Sequence, residues 1–340
     1  MKVTIVGRGL AGAWLTHELI ARGVDVSIID DGNAYSASRV SAGLINPTTG
    51  ARPKSAWRSN TLLPFVRSAY SSLEASTGVK CYSERTLRRI FRTPDDERLW
   101  RVGVERGIGV KWTPIPPGTV EGVPMPYGGV EYLAAVVDTP AALTALEVLD
   151  GITVEQRNVD EIDVGANDAV VWCTGWHAAQ HTLWSWLPFQ PAKGEIITAQ
   201  IGEPYLTSVY MRGIWIIPTN EVPPKSGMQT VVIGSNHDWD NLDTVVTTEA
   251  RESLVEQASI LLDRDMVVTS QKAGVRPAVS TKRPVMGRHP KYPEHVILNG
   301  LGTKGSVWAP WAAEQLTSHL VDGIVMDPEV TIQRWWHEDV

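Results

Sequence analysis

Glycines spaced to bind a pyrophosphate stand near the start of this sequence. They form a G-x-G-x-x-G motif, Gly7-Arg8-Gly9-Leu10-Ala11-Gly12. The first glycine permits a tight turn, the second lets the backbone approach the phosphates, and the third lets a helix pack closely on a strand. The N-terminus of that helix supplies free N–H groups and a positive dipole end. The motif therefore predicts a dinucleotide site.

The acidic residue expected after such a motif is present. Asp30 lies 23 residues beyond Gly7, where a carboxylate is expected to bind the ribose hydroxyls, and Asp31 follows it. An acid at this position disfavours a 2′-phosphate, so NADP is not the expected cofactor.

A cluster of small residues comes directly after the ribose acid. The run 38–47 contains Ser38, Arg39, Ala42, Gly43 and Leu44. Small side chains would let this backbone lie close to a flat ligand, and a flexible loop is the alternative interpretation.

A third candidate is Cys173-Thr174-Gly175, which follows the apolar run 169–172. The residues Thr174 and Gly175 indicate a turn beneath a nucleotide or an ordinary turn at the end of a strand. We expect Cys173 to be a small buried apolar residue rather than a nucleophile.

Two glycine-containing segments near the C-terminus complete the set. They are Gly274-Val275-Arg276-Pro277 and Asn299-Gly300-Leu301-Gly302-Thr303-Lys304-Gly305-Ser306. Their glycines permit close backbone approach. A helix predicted from about Ser306 would point its positive end at whatever the loop holds, and Lys304 adds a full charge.

The elements that must position these motifs can be read from the hydrophobic pattern. Val3 to Val6, an amphipathic helix and the strand 24–29 form a βαβ unit. Further helices are predicted near 61–76, 139–149, 248–262 and 306–321, and runs within 193–233 alternate as antiparallel strands do. The sequence predicts an α/β fold in which a doubly wound, Rossmann-like nucleotide domain (1–78, 138–188 and 268–340) is interrupted by an antiparallel-sheet substrate domain (79–137 and 189–267).

Composition restricts the class of protein. A net charge of −7 argues weakly against a nucleic acid as the main partner. Two cysteines, without a C-x-x-C or C-x-x-H motif, predict neither a disulfide framework nor a metal site. No signal peptide or run of about 20 apolar residues is evident, so we expect a cytoplasmic protein without a membrane anchor.

Taken in order, the motifs resemble those of the D-amino-acid oxidase/glycine oxidase family of FAD-dependent oxidoreductases. The shared features are G-x-G-x-x-G with its acid, S-x-x-x-A-G-L, a strand ending in T-G, G-x-R-P, and N-G-L-G-x-K-G before a last helix. The resemblance covers Lys2 to about Leu320. It implies non-covalent FAD and oxidation of the C–N bond of a small amine, amino acid or imino acid by hydride transfer to flavin N5. Oxygen is the expected acceptor.

The resemblance also implies roles for individual residues. The pyrophosphate would lie on Gly7, Gly9 and Gly12, with Leu10 and Ala11 beside it, and Asp30 would bind the ribose. Ser38, Arg39, Ala42, Gly43 and Leu44 would follow the path to the flavin, and Val159 would present its backbone to adenine. Gly175 would pass under the nucleotide, and Thr174, Gly274 and Arg276 would also contact the cofactor. Gly300, Leu301, Gly302, Thr303, Lys304 and Gly305 would surround the pyrimidine edge of the flavin.

For catalysis, the resemblance maps the arginine that grips the substrate carboxylate to Arg276, and a planar guanidinium suits that task. A buried ion pair with a protein acid is the alternative for Arg276. Lys304 would stabilise the electron-rich reduced flavin. Tyr210 and Arg212 are looser assignments in the substrate domain, and His237 is expected more as a loop residue than as part of the site.

Besides a plain NAD dehydrogenase, which the identity of the cofactor would decide, two other functions remain open from the sequence. One is a flavin-dependent tRNA-modifying oxidoreductase, whose RNA surface would include Arg52, Lys54, Arg58 and the arginine-rich segment 85–101. The other is a non-catalytic flavin-binding module with a degenerate pocket. If the protein does not bind RNA, the arginine-rich segment 85–101 is expected to be a solvated face with interspersed acids.

Overall fold

The structure is a computed structural model that describes residues 1–50, 54–107, 109–158, 165, 167–219 and 227–336. Val159 and Arg52 therefore lie outside the described residues. In chain order the strands are β1 (Lys2–Val6), β2 (Asp25–Asp30), β3 (Leu44–Ile45), β4 (Thr48–Thr49), β5 (Lys54–Ser55), β6 (Tyr82–Ile90), β7 (Trp112–Ile115), β8 (Gly118–Val120), β9 (Val123–Met125), β10 (Gly129–Val137), β11 (Val154–Gln156), β12 (Ala169–Trp172), β13 (Ala192–Ile201), β14 (Val209–Arg212), β15 (Ile214–Pro218), β16 (Gln229–Gly234), β17 (Val267–Arg276), β18 (Val285–Arg288) and β19 (His295–Asn299).

The helices that the structure describes are α1 (Leu10–Ala21), α2 (Ala37–Val40), α3 (Ser59–Thr77), α4 (Asp95–Glu105), α5 (Thr139–Asp150), α6 (Thr248–Leu262) and α7 (Gly305–Asp322), with 3-10 turns at Gly175–Gln180 and Ile332–Trp335. The predicted helices are present, with small shifts at their ends. Helix α6 keeps its predicted bounds and is capped by Thr247, whose hydroxyl accepts from Ala250 N–H at 3.3 Å.

A six-stranded sheet carries the nucleotide motif. Its order is β11-β2-β1-β12-β19-β18, and its pairs are parallel except β18 with β19. Register places Val6 beside both Ile29 and Trp172. Because parallel strands end at the same edge, the loops that follow Val6, Asp30 and Trp172 converge there.

Helices α1, α3, α5 and α7 cover one face of this sheet. Their buried side chains form one apolar core that includes Trp14, Leu62, Leu146 and Leu316. Burial of such side chains contributes roughly 1.5–3 kcal/mol each to folding. The core fixes helix α1, and with it the glycine loop that precedes the helix.

A nine-stranded sheet forms the second layer. Its order is β17-β13-β16-β15-β14-β6-β10-β3, with β7 beside β10. The predicted antiparallel pairing is present throughout, except that β14 and β6 run parallel. Helix α6 packs on one face against Leu206, Tyr210 and Ile233, while Met211 and Trp215 alternate to the other face.

These two sheets confirm the predicted α/β fold class with an antiparallel second sheet. Strands β3 and β17 belong to the second sheet although the sequence placed both in the nucleotide domain. The domain boundaries themselves stay a prediction.

The arginine-rich segment divides between strand β6 and helix α4. Arg98 and Arg101 are exposed and pair with Asp95 and Glu97 at 2.6 and 2.7 Å, as a solvated face would. Arg88 differs, because it is only 15% exposed and bonds Glu121 at 2.8 Å inside the second sheet. Within the described residues, no helix has both the length and the apolar character needed to cross a membrane.

Candidate active site

One cavity of about 710 Å³ is lined by residues of both sheets and of the loops beside them. This volume lies in the usual range for ligand pockets. Of the predicted site residues that the structure describes, all line the cavity except Gly12, Arg39, Gly300, Tyr210 and Arg212. The sequence motifs, which are spread over about 300 residues, therefore converge on one space.

The nucleotide end is built mainly from backbone. A Cβ on Gly7, whose φ is +96°, would lie 2.6 Å from the Cys173 carbonyl oxygen. A Cβ on Gly12 would lie 1.9 Å from the Gly7 carbonyl oxygen. Gly12 therefore does not touch the cavity, but it lets helix α1 approach the loop that does.

Asp30 shapes this end through its carboxylate. Its oxygens accept from Arg8 N–H at 2.6 Å and from Gly32 N–H at 2.8 Å. The Arg8 side chain turns away and makes a buried two-pronged bond to Asp150, at 2.5 and 2.7 Å. The variable arginine of the motif thus holds the loop to the end of helix α5 rather than contacting a ligand.

The segment after the ribose acid passes over the N-terminus of helix α1. Ser38 Oγ accepts from Leu10 N–H at 3.0 Å. Gly43 has a φ of +66°, and a Cβ there would lie 1.8 Å from the Val137 carbonyl oxygen. Arg39 points outward, where it reaches Glu147 at 3.5 Å, so the structure does not bring this predicted residue to the cavity.

The turn after strand β12 contains a buried hydroxyl group that makes no hydrogen bond to the described residues. Thr174 lines the cavity, and its buried hydroxyl has no hydrogen-bond partner among the residues that the structure describes. Such groups rarely stay unpaired in a folded protein. Burial raises the pKa of the neighbouring Cys173 thiol, which agrees with a buried apolar residue rather than a nucleophile.

Lys304 lies where the last glycine loop meets helix α7. Its Nζ donates to the Asn46 carbonyl oxygen at 3.4 Å, and burial lowers the pKa of Lys304 to about 8. Helix α7 starts at Gly305 with no acid in its first turn, so its positive end faces the cavity. Gly300 lies behind this loop, against Val279 and Val285.

Arg276 ends strand β17 at the other end of the cavity. Its guanidinium donates to Lys193 O at 3.1 Å, Ser235 Oγ at 2.8 Å and Asn236 O at 3.1 Å. No carboxylate in the described part of the chain pairs with it, so the alternative of a buried ion pair finds no support. Burial lowers its pKa to about 10.

Gly194 on strand β13 makes room for this guanidinium. A Cβ at Gly194 would lie 1.7 Å from Arg276 Nη2. Register pairs Ala192 with Arg276 and Gly194 with Gly274, so the arginine side chain lies across the neighbouring strand. Nothing in the sequence near Arg276 indicates this requirement.

The structure does not bring Tyr210 and Arg212 to the cavity. Tyr210 is fully buried on the α6 side of the sheet, where its hydroxyl accepts from Arg88 at 2.7 Å and lies 3.0 Å from Glu121. Side chains alternate along a strand, so Met211 and not its neighbours faces the cavity. Neighbouring residues of strand β14 face opposite sides of the sheet, so the prediction chose Tyr210 and Arg212 where Met211 is the residue that lines the cavity.

Several lining residues were missed from the sequence. Ile196, Met211 and Trp215 form apolar walls at the Arg276 end, and His237 lies at the same end. Burial and the charge of Arg276 lower the pKa of His237. The alternating pattern of β13 and β15 predicts strands, but it does not predict which of their two faces lines the cavity.

These features together fit a dinucleotide bearing a flavin. The close-approach glycines, the unused Thr174 hydroxyl and the unpaired positive end of helix α7 each leave a place for an anionic, hydrogen-bonding ligand. In the described part of the chain, no group of three or more His, Cys, Asp and Glu side chains could hold a metal ion.

Comparisons with known proteins show what this chain is similar to. Among curated proteins, the tRNA 5-methylaminomethyl-2-thiouridine biosynthesis bifunctional protein MnmC of Caulobacter sp. (strain K31) is 25% identical over 94% of this chain and 54% of that protein. The bifunctional protein ThiO/ThiG of Nostoc sp. is 24% identical over 94% of this chain and 52% of that protein. The chain thus spans about half the length of these relatives.

Solved structures show the same fold. Glycine oxidase from Geobacillus kaustophilus superposes with a TM-score of 0.79 at 22% identity, over 96% of both chains. Iminodiacetate oxidase from Chelativorans sp. BNC1 gives a TM-score of 0.75 at 20% identity, over 98% of both chains.

The family model of the FAD dependent oxidoreductases, DAO, matches residues 2–319. The match includes the glycine loop, Asp30, Arg276 and Lys304, which the structure gathers around one cavity. The chain belongs to the DAO family of FAD-dependent oxidoreductases.

Proposed function

We propose that this protein oxidises the C–N bond of a small amino acid or imino acid whose carboxylate binds Arg276. The observation that carries the proposal is a buried guanidinium without a carboxylate partner among the described residues, at one end of a cavity whose other end suits a dinucleotide. A substrate carboxylate would supply the missing partner.

The arginine is held ready for this task. Three of its N–H groups donate to Lys193 O, Ser235 Oγ and Asn236 O, which leaves two N–H groups for a ligand. Because its position is set by three bonds and by Gly194, binding a carboxylate costs little reordering of the side chain. Arg276 would thereby orient the substrate carbon that loses hydride.

FAD, when bound, accepts the hydride and stores the two electrons. Lys304 and the N-terminus of helix α7 lie beside the loop expected at the flavin pyrimidine. Their positive charge would stabilise the negative charge that this edge gains on reduction, since preorganised dipoles and cations act strongly in a dry site. Ile196, Met211 and Trp215 would exclude water there.

The test uses the purified holoprotein under anaerobic conditions. We expect glycine, sarcosine, proline or another amino or imino acid to bleach the oxidised flavin spectrum, and oxygen to restore it with formation of peroxide. Arg276→Ala should raise the substrate Kd by the equivalent of about 2–5 kcal/mol while keeping the flavin. Arg98→Ala, at an exposed ion pair far from the cavity, is the matched control.

Two results would contradict the proposal. One is a holoprotein that no amine or amino acid reduces although dithionite does, which would favour a non-catalytic flavin-binding module. The other is an Arg276→Ala variant with unchanged Kd for a carboxylate substrate. Trichloroacetic acid precipitation checks the expectation of non-covalent FAD, which should stay in the supernatant.

An RNA-linked amine is a second candidate substrate, because curated relatives include tRNA-modifying proteins at 25% identity. The structure gives this candidate less support, since Arg88, Arg98 and Arg101 are already paired with acids. A gel shift with bulk tRNA at low salt separates the two, and the amino-acid proposal expects no complex.

A further inference from the structure

The two ends of the cavity differ in charge. Asp30 and Asp31 are the only carboxylates that line it within the described residues, and both lie at the nucleotide end. The other end contains Arg276 and Lys304 and, in the same described part of the chain, no acid. One anionic group of a substrate would use Arg276, because Lys304 lies at the loop expected to meet the flavin.

A further cation lies at the mouth of this end. Gly213 connects strands β14 and β15 and lines the cavity. Its φ is +88°, and a Cβ at this position would lie 2.1 Å from Arg92 Nη2. Gly213 is itself exposed, so the guanidinium of Arg92 lies against the tip of the hairpin at the edge of the cavity rather than inside it.

Unlike its neighbours, this guanidinium has no anionic partner among the described residues. Arg88 bonds Glu121 and Arg98 bonds Asp95, whereas the side chain of Arg92 makes no hydrogen bond or ion pair within the described part of the chain. The nearby Asp96 carboxylate accepts from the backbone N–H of Arg92 at 2.6 Å and caps the turn before helix α4.

A second arginine adds positive charge to this rim. Arg89 is opposite Met211 in the pairing of β6 with β14, and its Nη2 donates at 2.9 Å to the carbonyl oxygen of Gly50, another lining residue. Its guanidinium also stacks over Trp100 at 5.8 Å. These contacts hold Arg89 in place, so its positive charge adds to the electrostatic attraction of an anion at the rim. Arg92 is the residue positioned to bind that anion directly.

Sheet register shows that Arg92 and Arg276 lie at the same end of the sheet. Trp215 pairs with Gly234, and the next residue, Ser235, accepts from Arg276 at 2.8 Å. Gly213, against which the Arg92 guanidinium lies, comes two residues before Trp215, just before the adjacent strand β15. A molecule with one carboxylate on Arg276 would extend past Trp215 toward Gly213.

We propose that the substrate carries a second, distal carboxylate, which Arg92 binds at the cavity mouth over Gly213. The inference rests on the proposed function and adds its substrate class, a small dicarboxylic amino or imino acid. Opposite charges at the mouth also steer such a substrate toward the site, an effect that salt weakens. Because Arg92 is exposed, we expect a preference of about 1.5-fold to fivefold over an uncharged isostere.

The experiment compares acids with their isosteric amides. For the holoprotein we would measure kcat/KM for flavin reduction with aspartate and asparagine, and with glutamate and glutamine, as both enantiomers. The expected ratio of acid to amide exceeds one, falls to about one in Arg92→Gln, and falls below one in Arg92→Glu. Arg98→Gln, on the neighbouring helix and remote from the mouth, should keep the ratio of the unmodified protein.

A second readout does not depend on turnover. Isothermal titration calorimetry would compare succinate with its monoamide, succinamate, in the same three variants and at two salt concentrations. Tighter binding of succinate, lost in Arg92→Gln and weakened by salt, supports the proposal. Equal affinity for the two ligands, or an Arg92→Gln variant that keeps the preference, overturns it.

The outcomes separate this inference from the function on which it rests. If amino acids reduce the flavin without any acid-over-amide preference, only the second-carboxylate inference fails. If no amine reduces the flavin but succinate binds through Arg92, the proposed oxidation fails alone. If bulk tRNA displaces succinate in an Arg92-dependent way, the mouth binds nucleic-acid phosphates and the small dicarboxylate is excluded.

Discussion

The two ends of the cavity are built by different means. The nucleotide end depends on six consecutive residues and one acid, Asp30, and it works largely through backbone N–H groups and the absence of Cβ atoms. The Arg276 end depends on side chains from strands β13, β14, β15 and β17, which are far apart in sequence. The relative positions of residues in one short loop are set by their neighbours in sequence. The relative positions of side chains on several strands depend on the register of the sheet and on which face each side chain occupies.

The largest expected effect tests the local, backbone-built end. Gly12→Val would place side-chain atoms where even a Cβ lies 1.9 Å from the Gly7 carbonyl oxygen. Because helix α1 and strand β1 would have to separate, we expect almost complete loss of bound flavin and a lower melting temperature. The ratio of absorbance at 450 and 280 nm measures flavin content. Gly23→Ala, at the other end of helix α1, adds a Cβ with no atom near it and only the backbone strain of a φ of +74°, so it should keep its flavin.

The next effect tests the end that depends on the sheet. Gly194→Ala would place a Cβ 1.7 Å from Arg276 Nη2 and displace the guanidinium. A misplacement of this kind reduces kcat/KM by about 100-fold, so we expect that loss with flavin content unchanged. Gly202→Ala, just after the same strand and with free space around the Cβ, is the control. Normal kcat/KM in Gly194→Ala would show that Arg276 does not bind the substrate.

A smaller effect is expected for the second cation at the Arg276 end. Lys304→Met removes a cation beside the flavin loop, so the reduced cofactor should be less stable and the two-electron midpoint potential lower by roughly 30–60 mV. Burial lowers the pKa of Lys304 to about 8, so the lysine is charged below that pH and neutral above it. The difference in potential between the two proteins should therefore shrink as pH rises through about 8. A constant difference from pH 6 to 10 would contradict this role.

The smallest effect concerns a residue that the sequence placed in the site. Tyr210 is buried behind the sheet, bonded to Arg88 at 2.7 Å. We expect Tyr210→Phe to lower the free energy of unfolding by about 1 kcal/mol, as urea denaturation would show. Its kcat/KM should change by less than about twofold. A large loss of activity with an unchanged free energy of unfolding would show that Tyr210 takes part in catalysis.

Residues positioned by spacing along the chain could be placed at the cavity from the sequence, whereas residues positioned by sheet pairing could not. Gly7, Gly9 and Asp30 could be placed because spacing along the chain determines where a turn and a strand end lie. Lys304 could be placed for the same reason, at the start of a helix. Tyr210 and Arg212 could not, because a shift of one residue moves a strand side chain to the opposite face.

Some features had no signal near the residues concerned. The space that Gly194 leaves for Arg276 arises because β13 and β17 pair in one register, which the isolated strands do not determine. The buried bond between Arg8 and Asp150 joins residues 142 positions apart. Arg92 looked like one member of a charged run until the fold placed it on the tip of a hairpin.

By itself, the sequence determined the position of the G-x-G-x-x-G loop and of Asp30, the helices around them and the α/β class, because each depends on local spacing and on one hydrophobic period. Only the tertiary structure decided which face of the second sheet meets the nucleotide domain. That choice sets the residues opposite the flavin loop, leaves Arg276 without a described carboxylate partner, and brings Arg92 to the cavity mouth. Side-chain direction in a sheet depends on long-range pairing and packing, and the free energy of those contacts exists only once the chain has folded.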